Sequence, residues 1–171
     1  MDKETRNLLI GLVLGGLIAL TGSWVMWNIQ IGYENANLAH GIYLDIDKSN
    51  ASLQTFANVY KHPENLPIKN TYIVPSTSFY LDYRLSPTPV DISRFDPELS
   101  DKLYFYYYNL AEAETIRLHL NDPNSIESKN PYVYDTFYAQ MGKDIINCSE
   151  EIQPIKNIII KKYPNKPYFF F

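Results

Sequence analysis

Three groupings of polar side chains in this 171-residue chain have types and spacings that invite a chemical reading. The segment Asp45-Ile46-Asp47-Lys48-Ser49-Asn50 places oxygens at positions one, three and five, as a calcium-binding loop does. Its sixth position is Asn50 where such a loop carries glycine, and its twelfth is Phe56 where a bidentate glutamate belongs. Asp45 and Asp47 are therefore read as solvated positions on a helix. His40, His62 and His119 share no metal-ligand spacing with one another or with Cys148, so no metal is expected. Glu112 and Glu114 flank Ala113 and leave their helix on different sides, poor geometry for a paired acid and base, so solvated or ion-paired roles are expected. No serine or cysteine occupies a G-x-S-x-G motif, and Cys148 falls on an apolar stripe as a small buried thiol. The expectation is a protein without catalytic residues or cofactor.

The run Tyr104-Phe105-Tyr106-Tyr107-Tyr108 points elsewhere. Five consecutive aromatics wrap a helix completely and cannot all face one core. Some pack against Phe79, Tyr80 and Tyr83 of the preceding segment, or they remain outside as a binding surface, where large amphipathic rings are favoured. Phe79, Tyr80, Tyr83, Tyr104, Tyr107 and Tyr108 are the candidate interaction or pocket aromatics. Net charge is −4, with 15 Lys and Arg against 19 Asp and Glu and no basic stripe, which argues against nucleic acid. A single cysteine excludes an intramolecular disulfide, so stability must come from packing.

The elements that position these residues begin with an apolar run from Leu8 to Trp27 that contains no charge. At 1.5 Å per residue such a helix covers about 30 Å, the hydrocarbon thickness of a bilayer. A cleaved signal peptide is the rival reading, but its apolar region is usually shorter, about 7 to 15 residues, and ends in small residues. Here Trp24 and Trp27 stand at the end instead, as an interfacial belt does. The organisation read is a tail over 1–7, a transmembrane anchor over 8–30, a soluble domain over 31–163 and a C-terminal tail over 164–171. Lys3 and Arg6 precede the anchor and no basic residue follows it until Lys48, which favours a cytoplasmic N-terminus and an external domain at the cell membrane. The sequons at Asn50 and Asn147 would be usable there. Gly11, Gly15, Ala19 and Gly22 form a face of small residues that allows close approach of a second anchor, so a homodimer is an open alternative.

Beyond the anchor, alternating steps of three and four mark three amphipathic helices. The first, over 34–61, carries Leu38, Ile42, Ile46, Ser49, Leu53, Phe56 and Tyr60. No proline lies between Leu8 and His62, so anchor and first helix read as continuous, with Gly32 and Gly41 as weak points. The second, over 97–121, has Asp96 as cap and Pro97 at its first position, and its stripe is Leu99, Leu103, Tyr106, Leu110, Ala113, Ile116 or Arg117, and Leu120. The third, over 131–163, carries Tyr134, Phe137, Met141, Ile145, Cys148, Ile152, Ile155 and Ile159, with a kink expected at Pro154. The segment 62–96 holds five of the eleven prolines and reads as a long crossover loop, with a short helix or strand within it as an open alternative. The fold class is all-α: a transmembrane helix continuing into an antiparallel three-helix bundle.

An N-terminal anchor, then Ile42-Tyr43-Leu44-Asp45-Ile46, then Asp91-Ile92-Ser93-Arg94-Phe95-Asp96-Pro97-Glu98-Leu99 leading into Phe105-Tyr106-Tyr107-Tyr108-Asn109-Leu110 and Ala113-Glu114, resembles a group of uncharacterised single-pass membrane proteins common in archaea. The resemblance implies the architecture and carries no activity. Two functions stay open at this point: a scaffold or interaction module with an unknown protein partner, and a sensor with a Tyr/Phe-lined pocket that signals through a partner.

Overall fold

The computed structural model describes residues 2–62, 74, 75, 78 and 87–164, and every regular element among them is helical. Helix α1 spans Lys3–Lys61; Asp2 caps it by accepting from the Thr5 amide at 2.7 Å. Neither Gly32 nor Gly41 interrupts it, and it stops at His62, the residue before Pro63, where the proline ring disfavours helical geometry. Helix α2 (Pro89–Ile92) is one turn held by a capping box between Thr88 and Asp91. Helix α3 (Pro97–Asn121) starts on the Asp96 cap, α4 (Ile126–Lys129) is again one turn, and α5 (Pro131–Lys162) starts on Asn130. The helix of α5 continues through Pro154.

Helix α5 packs against both α1 and α3. It runs antiparallel to α1: Tyr60 meets Tyr138 edge-on at 5.2 Å near the start of α5, and Asp47 pairs with Lys156 towards its end. It is antiparallel to α3 as well, since Lys162 bridges Asp96 and Glu98 at 2.7 Å each, and Tyr163 donates from its hydroxyl to Asp96. The apolar stripes account for the core: Ile42, Ile46 and Leu53 of α1, Leu99, Leu103 and Leu110 of α3, and Met141, Ile145, Ile152 and Ile155 of α5 are all essentially buried. Each such side chain contributes about 1.5–3 kcal/mol by leaving water. Helix α2 falls in the crossover segment, where a short helix or strand is the open alternative, and α4 was not foreseen, because four residues are too few to carry a stripe.

Gly142 sets the closeness of α1 and α5. A Cβ placed there would lie 2.9 Å from Cδ1 and 3.1 Å from Cγ of Tyr60, atoms near the root of that side chain that cannot simply swing away. Gly142→Val is therefore expected to lower stability by about 2 kcal/mol through overpacking, read as a lower urea midpoint of the detergent-solubilised chain with unchanged helical circular dichroism. An unchanged midpoint would show that the contact has slack.

The first half of α1 is different. From Leu8 to Trp27 every residue is exposed. This is the one stretch among the described helices long and apolar enough to cross a membrane.

Candidate functional site

The aromatic run of α3 divides into an outer and an inner set. Tyr104 and Tyr108, 60% and 57% exposed, stack on each other one turn apart with centroids at 6.5 Å, and Phe105 is exposed beside them. Tyr106 is fully buried and Tyr107 nearly so, their rings meeting edge-on at 5.1 Å. Tyr107, grouped above with the candidate surface or pocket rings, is thus a core residue: its hydroxyl donates to the buried Asp45 carboxylate at 3.0 Å and so joins α3 to α1. Asp45 is correspondingly no solvated position, while Asp47 is exposed and paired with Lys156, whose ammonium also sits 4.8 Å from the centre of the Tyr43 ring. The two aspartates of the calcium-like segment therefore serve two different contacts. Phe79, Tyr80 and Tyr83 lie outside the described residues.

Beside Tyr108 runs an open groove of about 600 Å³ between α3 and α5. Tyr108, Glu112 and Thr115 line one side, and Thr136, Phe137 and Gln140 the other. Gln140 donates from its amide to Oδ1 of Asp144 at 2.8 Å. Asp144 is only 1% exposed, and its Oδ2 accepts no hydrogen bond from any described residue. Burial, and then the charge of Glu112, push the Asp144 carboxyl up to about 6, against the opposing pull of the Gln140 bond and of Lys143. One turn further on, the Cys148 thiol donates to the Tyr106 carbonyl at 3.4 Å and is pushed well above its ordinary range by burial and by the Asp144 charge. It is an inert core thiol. Asp144 was not singled out from the sequence, although its place three residues after Met141 and four before Cys148 puts it on the buried stripe, and that spacing was the available signal.

Of the acidic pair, Glu114 takes the ion-paired of the two expected roles. It is buried, and the Arg117 guanidinium grips it in a two-pronged bridge at 2.7 and 2.9 Å. Arg117 and Asn121 also donate to the Pro75 carbonyl, at 3.4 and 2.9 Å, and so tie the crossover segment to α3. Glu112 instead stands half-buried at the groove. His119 lies 3.4 Å from Glu127. Both sequons fall inside helices, and Asn147 donates to Asn109 at 3.2 Å, so neither sits on the loop that glycosylation favours. Around Gly11, Gly15 and Gly22 there is open space, and Ala19 of the same face is exposed. No protein family, curated protein or solved structure matches this chain, so its function is read from its own residues.

Proposed function

We propose that this chain is a single-pass membrane protein whose anchor, within Leu8–Trp27, holds an antiparallel three-helix bundle at the membrane surface as a non-enzymatic interaction module. The observation that carries the reading is the ladder of Tyr104 and Tyr108 with Phe105: three large rings left in solvent on a helix whose other face is fully packed. Tyrosines of this kind anchor protein interfaces because they bury much area at small entropic cost. Lys3 and Arg6 on the N-terminal side of the anchor favour a bundle outside the cell membrane.

The test places a photo-crosslinking residue at Tyr104 in the full chain in its native membrane, with the still more exposed Tyr132 as control position. A discrete adduct from position 104, absent from 132 and lost on Tyr108→Ala, is expected. No adduct, or the same adducts from both positions, would overturn the interaction reading, and release of the protein by alkaline carbonate would overturn the anchor.

A second reading is favoured by the groove. Its volume lies in the range of small-molecule sites, and Tyr108 and Phe137 give it an aromatic lining, so the bundle is also read as a ligand-binding domain that acts through a partner.

A further inference from the structure

Building on the ligand-binding reading, we propose that the groove between α3 and α5 takes an organic cation, an ammonium group carried on a small apolar body. One carboxylate lines this groove and a second lies buried behind its wall. Glu112 is part of its wall and forms no ion pair among the described residues. Asp144 stands behind Gln140, which lines the groove and holds Oδ1 while Oδ2 is left without a donor.

The titratable groups around this pair are few. Tyr108 stands on the α3 side, the inert Cys148 lies one turn along α5, and Lys143 is exposed on α5 without pairing to Asp144. A buried carboxylate facing another carboxylate is unfavourable unless a positive charge answers both. None of the described residues that line the groove carries a positive charge, and an ammonium bound there would supply one. The same field repels anions, and a neutral ligand would gain only apolar contact with Tyr108 and Phe137. Those rings add to the attraction of a cation, since ammonium groups bind aromatic faces. Gln140 keeps Asp144 from full contact with solvent, so its charge acts at short range through one side chain and is weakly screened.

The test is calorimetric titration of the full chain, in a non-ionic detergent near neutral pH, with benzylamine and with its uncharged counterpart benzyl alcohol. Benzylammonium is expected to bind about ten-fold tighter, equivalent to ~1.4 kcal/mol. That preference is expected to disappear in Glu112→Gln, which keeps the wall's shape, and in Asp144→Asn. Equal binding of the two compounds by the unaltered chain would overturn the cation inference and leave the ligand groove standing. Binding of neither would overturn both, and a preference that survives either substitution would overturn the assignment to this pair.

Discussion

Glu114→Ala is expected to destabilise the protein by about 3–5 kcal/mol, the usual loss when one member of a buried ion pair is removed. Both side chains are more than nine-tenths buried, and the bridge is two-pronged, so the substitution leaves the Arg117 guanidinium without its counter-charge in a dry setting. The cost comes from that stranded charge more than from the lost attraction. Replacing both residues by methionine is therefore expected to lose far less, about 1 kcal/mol, mainly from the bond of Arg117 to the Pro75 carbonyl. Urea unfolding of the detergent-solubilised chain followed by circular dichroism compares the two. A single variant no less stable than the double would mean that Arg117 finds another acceptor at little cost.

Asp144→Asn should act in the opposite direction. The carboxyl is raised from 3.8 to about 6 in the folded chain, chiefly by burial. Between those values the folded state holds its proton more tightly than the unfolded one, so stability contributed by this group is present at acid pH and is lost as pH rises through 6. At 1.36 kcal/mol per unit the loss approaches about 3 kcal/mol above neutrality. Asparagine carries no charge to desolvate and can still accept from Gln140, although its own amide then needs a partner, an offset of about 1–2 kcal/mol. The variant is expected to melt higher than the parent at mildly alkaline pH by an amount equivalent to about 1–2 kcal/mol, and to lose the slope between pH 4 and 6. A parent whose melting temperature does not rise on acidification through that window, relative to the variant, would contradict a buried ionised Asp144.

The helices were legible because their signals are local. Threes and fours in the apolar positions, Asp96 before Pro97 and Asn130 before Pro131 need no knowledge of neighbouring elements, and α3 and α5 start at Pro97 and Pro131. The assignment of individual rings within Tyr104–Tyr108 was not legible, because it depends on which side of α3 meets α5 and which meets α1; Tyr107 is drawn inward by Asp45, sixty-two residues earlier. Arg117 shared a stripe position with Ile116, and both turn out to be buried, the arginine because Glu114 one turn back neutralises it. The groove is a product of docking: Glu112 and Asp144 lie on different helices, and only the antiparallel register of α3 and α5 brings their charges together.

Helix α1 has no break between the apolar run and the core it helps to build. In the proposed membrane arrangement it therefore behaves as a ruler. Tyr107 is hydrogen-bonded to Asp45, so the neighbouring ring ladder stands level with a point on α1 that lies about 27 Å beyond Trp27 at the helical rise. The exposed tyrosines are held at that elevation and at one bearing relative to the anchor, with no hinge in α1 to let them swivel. A protein embedded wholly within the bilayer could not reach them. Any companion must rise to the same height and present its own surface sideways, so the length of this single helix selects among partners before any side chain is read.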